Sequence, residues 1–310
     1  MRSIPKWLRL PARLFFRQED ERIYAAVRIG FAAVALLNLI FLWPDRHVFF
    51  SDGGMLDADV ARAQGNPFYF SIFAFAYSGA AVTCCMAATA IALVMLLTGV
   101  ATRLAAFWVL VWHLSYTARA PLSMGGWDQV LRAYSFLVLM SPAGKCWTLP
   151  ALLRGGKIQP ALLPGYGLVL MRIQVLVIYW QAVFARIACP DPYWGNGEFM
   201  SYFMLSHHAR WPGPWVLEYG GLLTFATYAA QFTELTVPVL LLVKKTRWWG
   251  MLLGFSLHAG ISLVARDLGL FFLSMMMTYL ACLRAEDIDR ITRWVRRWFV
   301  RAEAAVSRSN

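Results

Sequence analysis

Six charged residues lie within or at the edge of long apolar runs: Arg28, Asp128, Arg132, Arg172, Arg186 and Glu234. His113 and His258 share such surroundings. A charge inside a bilayer is costly, so residues of this kind face a protein interior, pair with one another, or serve a site. Arg172, Tyr179 and Arg186 recur at seven-residue steps, which sets them on one stripe of a helix. Gln174 and Gln181 repeat the spacing on another side. A helix that is polar on two sides belongs in the middle of a bundle.

Thr227, Gln231 and Glu234 share a second helix face, and Pro238 follows Glu234 by four residues. Proline there removes the hydrogen bond to the Glu234 carbonyl, and a freed carbonyl beside a carboxylate makes a polar pocket. Arg172, Arg186 and Arg132 are the candidate counter-charges. A plain buried ion pair accounts for the same residues, as does an arginine reaching out to the headgroups. Asp128 follows Gly125-Gly126-Trp127 as an expected helix N-cap and forms an i,i+4 pair with Arg132, or faces a site from the outer side. His258 with Ser262, and His113 with Tyr116 and Thr117, are either proton-handling groups or satisfied structural ones. No HExxH or carboxylate pattern is present, so no metal site is expected, and no G-x-S-x-G, P-loop or GxGxxG occurs in usable context.

The elements that must hold these residues are membrane helices. The 310 residues are 59% hydrophobic and 15% charged, with a mean hydropathy of +0.53. Globular domains carry about 25% charged residues. Apolar runs occupy 23–43, 78–99, 102–120, 128–143, 166–188, 216–243, 248–265 and 268–284. The fourth and eighth lie near or below the usual minimum of about 17 residues. Transmembrane strands would be about ten residues long with strict alternation, and these runs are neither. The expected fold is an all-α, polytopic transmembrane helical bundle of about eight spans.

Loop charge sets the expected orientation. With the N-terminus in the cytoplasm, twenty Lys and Arg fall in inner segments and five (Arg46, Arg62, Arg119, Arg210 and Arg266) in outer ones. Both termini are then cytoplasmic. Residues 1–22 read as a basic interfacial segment, 23–284 as one transmembrane domain, and 285–310 as a basic amphipathic tail. Both ends favour anionic lipid. The outer segments 44–77 and 189–215 are the long ones, and the second is rich in aromatics and proline. The net charge of +12 gathers at the ends and in short connections, with no basic patch interleaved with aromatics, so nucleic acid is not an expected partner. The cysteines Cys84, Cys85, Cys146, Cys189 and Cys282 form no CxxC and read as small apolar fillers. No cleavable signal peptide is expected.

The order of short motifs resembles a known family. Arg28-Ile29-Gly30, Phe49-Phe50-Ser51-Asp52-Gly53-Gly54, Gly125-Gly126-Trp127-Asp128 with Leu131-Arg132, Gln174 with Tyr179, and Leu257-His258 follow one another as in the HTTM family. These are membrane domains similar to vitamin K-dependent gamma-carboxylase, and the resemblance covers about residues 20–285. It implies a bundle that accommodates a vitamin K-type quinone or hydroquinone. In the carboxylase a lysine near the outer end of the equivalent fifth span matters to the chemistry; here that position is Arg186, in Tyr179-Trp180-Gln181-Ala182-Val183-Phe184-Ala185-Arg186-Ile187. Arginine is effectively always protonated and cannot serve as a base, though it can hold an anion. The position of the carboxylase's site histidine falls on Asp128.

The resemblance thus implies an integral protein of a bacterial inner membrane that binds a lipophilic quinone-like ligand. Arg186, Glu234, His258 and Asp128 are the candidate reactive residues. Arg28, His113, Arg132, Arg172, Gln174, Tyr179, Gln181 and Gln231 are the candidate ligand contacts. If the protein is an enzyme, its activity is carboxylase- or epoxidase-like. The alternatives are a non-enzymatic protein that matures or exports a small peptide, with that peptide as its partner at the external face, or a transporter. No inverted repeat supports the last.

Overall fold

Helices form at all eight apolar runs: α1 (Glu21–Leu42), α2 (Gly79–Thr98), α3 (Thr102–Arg119), α4 (Gly126–Met140), α5 (Tyr166–Ala188), α6 (Gly220–Leu242), α7 (Arg247–Val264) and α8 (Gly269–Tyr279). This computed structural model describes residues 15–64, 70–142, 146–155, 160–188, 192–294 and 297–298. Most of the expected basic N-terminal segment, the far end of the tail, and Lys145, Lys157 and Cys189 lie outside the described residues. Among the described residues, α1, α2, α5 and α6 are long and apolar enough to cross a membrane. Large apolar side chains nonetheless face outward on the others too, including Leu104 and Phe107 on α3, Phe136 on α4, Leu252 and Phe255 on α7 and Leu273 on α8.

The helices pack as two consecutive groups. Neighbours in sequence touch within α1–α4 and within α5–α8. The seam is built by α8, which packs on α1, α4, α5 and α7, and α4 also meets α1 and α5. Small residues permit these approaches. A Cβ on Gly250 would meet the α6 backbone at Leu241, and Gly30 of α1 lies against Leu280 and Met277.

One end of the bundle gathers the strand before α1, the connection after α4 and the segment after α8. Strand β1 (Gln18–Asp20) pairs antiparallel with β2 (Leu162–Pro164). Asp20 caps α1, accepting from the Arg22 N–H at 2.8 Å, and Arg22 reaches across to Asp289. The buried Glu21 carboxylate accepts from the amides of Cys146 and Ala161 at 2.7 and 2.9 Å. Arg28 sits deeper, 8% exposed, and donates to the carbonyls of Leu96, Cys146 and Trp147 at 3.2, 3.3 and 2.9 Å. Its guanidinium therefore ties α1 to the end of α2 and to the connection after α4. Gly99 ends α2 at φ 73°, and a Cβ there would meet both Arg28 and the Thr148 side chain. At the opposite end the buried Arg119 donates to the carbonyls of Phe50, Ser51 and Leu56. Arg210 and Arg266 lace residues 208–210 to 262–266, where Ala209 bridges Ala265.

Gly155 also has a positive φ, 65°, but nothing lies near its absent Cβ. Gly155→Ala should therefore cost only the left-handed backbone term of about 1–2 kcal/mol. Gly99→Ala meets that term plus the clash with Arg28 and Thr148, and should lower the thermal midpoint of the solubilised protein clearly further in size-exclusion melting. Equal midpoints would show that the Arg28 clamp tolerates displacement.

Candidate functional site

Three rings from three helices meet between α5, α7 and α8. The Tyr179 hydroxyl lies 2.7 Å from His258 Nε2 and is hydrogen-bonded to the Tyr279 hydroxyl. All three are buried, at 3%, 3% and 5% exposure for Tyr179, His258 and Tyr279. Gly254 makes this possible, because one turn before His258 a Cβ would occupy the place of the Tyr279 hydroxyl. Phe271 sets its edge on the imidazole, with ring centroids 5.2 Å apart. His258 Nδ1 has no hydrogen-bond partner among the described residues. If Nε2 accepts from Tyr179, Nδ1 carries the proton and is a donor with nothing to receive it. If Nε2 donates, Nδ1 is an idle acceptor. An unmade buried hydrogen bond costs about 1–3 kcal/mol.

A second cluster lies seven residues further along α5, about 10 Å at 1.5 Å per residue. Arg186 forms a two-point ion pair with Glu234 of α6, the longer contact at 3.3 Å. The Arg186 guanidinium lies 3.7 Å from the centroid of the Trp194 ring, which stacks on Phe199. Gln231 donates to the Trp194 carbonyl at 3.1 Å, and Thr227 accepts from the Met200 amide at 3.1 Å. The Thr227, Gln231 and Glu234 face thus holds residues 194–200 over the ion pair. Of the three candidate counter-charges, Arg186 is the one Glu234 takes. Pro238 sits inside α6, and beside it the Trp180 indole donates to the Leu235 carbonyl at 3.2 Å.

Asp128 belongs to a third cluster. Gly125 is the N-cap of α4, and Asp128 stands three residues in, accepting from the Gly125 amide at 2.8 Å. This corrects the expected N-cap: the glycine pair carries the chain into the helix, and the carboxylate reaches back to it. Its other oxygen accepts from the Tyr116 hydroxyl at 2.6 Å and from Asn38 at 3.1 Å. Asn38 accepts in turn from the Trp127 indole at 3.2 Å. In place of the expected pairing with Asp128, Arg132 donates to Gln129.

The remaining candidates are placed elsewhere. Arg28 is engaged on carbonyls as described. Arg172 bonds Glu19 and the Ala281 carbonyl, at 3.0 and 2.9 Å. His113 bonds the Val109 carbonyl one turn back at 2.7 Å, beneath Phe31 and Tyr116. Gln174 is half-buried and Gln181 exposed, so the second polar stripe does not lie wholly in the interior. The structure brings together Tyr179 with His258, and Arg186 with Glu234 and Gln231. It keeps Asp128 and His113 in the other half of the bundle.

A groove of about 650 Å³ lies between the end of α1 and the first turns of α4 and α8. Leu37, Phe41, Trp127, Leu270, Phe272 and Leu273 line it, with Arg266 and Asp267 at one end. Phe271 links the groove to the ring cluster. Its sequence neighbours are groove walls, and its ring touches both His258 and the Cβ position of Gly126. Sequence reasoning missed Tyr279, Phe271, Asn38 and Trp194. A lone asparagine in a span was a legible signal for Asn38, and the Gly250–Gly254 spacing marked a face of close approach.

These features define an α-helical integral membrane protein with polar clusters held between its helices. More particularly, the chain belongs to the HTTM family: the HTTM domain matches residues 16–286, most of its length. No curated protein and no solved structure matches it.

Tyr179→Phe strips both His258 and Tyr279 of the hydrogen-bond partner each has among the described residues, and should destabilise the protein by about 1–3 kcal/mol. Replacing both partners, Tyr179→Phe with His258→Phe, should recover the share of that loss due to His258 in thermal melts, while the share due to Tyr279 remains. A double variant as weak as the sum of its parts would show that no hydrogen bond couples the two.

Proposed function

We propose that this protein binds a lipophilic quinone-type molecule through the groove, with His258, Tyr179 and Tyr279 as the polar groups that serve its oxygens. The observation that carries this reading is the buried Nδ1 of His258, without a hydrogen-bond partner among the described residues and one aromatic ring from an apolar groove. The groove's volume falls in the ligand-binding range of about 300–1,000 Å³. Its walls suit a planar ring with an apolar tail left in lipid.

The residues fit such a group. A bound quinone supplies oxygens that alternate between carbonyl and hydroxyl. His258 Nδ1 donates to or accepts from such an oxygen according to its tautomer. The Tyr179 and Tyr279 hydroxyls extend that proton path away from the groove. Phe271 stands between His258 and the groove, so its ring turns aside when a ligand oxygen reaches Nδ1. Arg186 takes no proton: it is permanently charged, bonded to Glu234 and covered by Trp194. The reading is therefore ligand binding with proton handling at His258, without a base at position 186.

Eight spans with both ends on the cytoplasmic side of a bacterial inner membrane complete the proposal. Supporting it are the outward apolar side chains on all eight helices, the basic inner connections, and the meeting of β1, β2 and the segment after α8 at one end. A second reading, peptide handling at the outer end, is favoured by the exposed Tyr193, Tyr202, Leu205, Trp211 and Leu217 there.

The test is lipid extraction and native mass spectrometry of the gently purified protein. We expect a stoichiometric prenyl quinone on the wild type, reduced about tenfold by His258→Ala, the loss of one charge-free polar contact at the upper end of its range. Phospholipid alone on both proteins would sink the quinone reading and favour the peptide one.

A further inference from the structure

At the end of the bundle that holds β1, β2 and the segment after α8, arginines converge on the turn after α8. Arg172 Nε donates to the Ala281 carbonyl at 2.9 Å. Arg247 Nη2 donates to Asp287 Oδ2 at 2.6 Å, and the same oxygen accepts from the Arg284 amide at 2.9 Å. The first residue of α7 and the turn at 281–287 are thereby fastened together, with Arg284 on the same turn. Arg17 lies two residues before Glu19, the partner of Arg172, and so on the same side of the extended chain.

Two features set this cluster apart from an ordinary ion-pair belt. The guanidinium groups of Arg17 and Arg284 have no ion-pair partner among the described residues: Glu19 pairs with Arg172, Asp287 with Arg247, and the nearby Glu286 with Lys244, which leaves an excess of two positive charges. Arg247, only 4% exposed, also leaves Nε and Nη1 without a hydrogen-bond partner among the described residues. Buried guanidinium N–H groups are costly to leave unmade, and their fork geometry matches a phosphate. Burial, then the charges of Arg247, Arg17 and Arg172, push the Arg284 guanidinium below its ordinary value. That is the penalty an anion would relieve. Cationic pockets between helices on the cytoplasmic side suit anionic headgroups.

We infer that Arg17, Arg172, Arg247 and Arg284 form an anion site for a phosphate group at the inner membrane surface. Its source is an anionic phospholipid headgroup or a soluble phosphate. The site is independent of the groove, which is lined by α1, α4 and α8 near Trp127 and Arg266.

The test uses the full chain in nanodiscs of phosphatidylcholine doped with phosphatidylglycerol, followed by native mass spectrometry. A parallel arm titrates inorganic phosphate onto protein in pure phosphatidylcholine. Arg17→Gln and Arg284→Gln alter side chains that hold no other element. Arg290→Gln, on the exposed side of the segment after α8, is the control. We expect the wild type to retain one phosphatidylglycerol, the Arg17→Gln/Arg284→Gln variant to retain about tenfold less, and the control to match the wild type. Phosphate binding with the same dependence on the two arginines would assign the site to a soluble anion. Equal retention by all three proteins, or equal loss in the control, with no phosphate binding, would overturn the inference.

Discussion

The Arg28 guanidinium stands where three stretches of chain meet, and the fold is arranged around satisfying it. A cation this deep in an apolar bundle must find acceptors inside the protein. It finds three carbonyls, from the end of α2 and from the connection after α4. Those carbonyls are available because Gly99 turns the chain sharply in the left-handed region and Trp147 also adopts a positive φ. Glu21, one stretch of helix earlier, holds the same connection from its amide side. A charge and a carboxylate thus bind complementary halves of one backbone segment.

The same economy recurs at both ends. Arg119, Arg172 and Arg266 all donate to backbone carbonyls of segments remote in sequence. Against this pattern the Tyr179–His258–Tyr279 group is different in kind. It fastens no loop, lies wholly among helices, and leaves an imidazole nitrogen idle. Structural histidines look like His113, closed on its own helix.

Helix positions were legible in the residues because apolar length is a one-dimensional property. Each of the eight runs became a helix to within a few residues, including the short α4 and α8. Periodicity also placed Tyr179 and Arg186 on one stripe and Gln231 and Glu234 on one face. It could not say what those faces meet. Glu234 had three candidate arginines, and choosing among them needs the packing of α5 on α6. Asp128 looked local, paired to Arg132, but its partners come from α1 and α3, ninety and twelve residues away. Tyr279 was invisible as a site residue because its role depends on a missing Cβ in another helix, Gly254. Spacing reports the face of a helix; partner identity belongs to tertiary structure.

Pro238 leaves α6 without one rung of its ladder, and the Trp180 indole fastens the Leu235 carbonyl beside that break to α5. An interruption of this kind ordinarily lets a helix flex on its own. Here the pivot is shared, since Arg186 and Glu234 pin the same two helices again, one residue back along α6 and six residues on along α5. Swinging the N-terminal half of α6 therefore drags α5 and the aromatic cover at 194–200 with it. Those parts form one mechanical body, and any opening at that end of the bundle must proceed by moving it whole against α7 and α8.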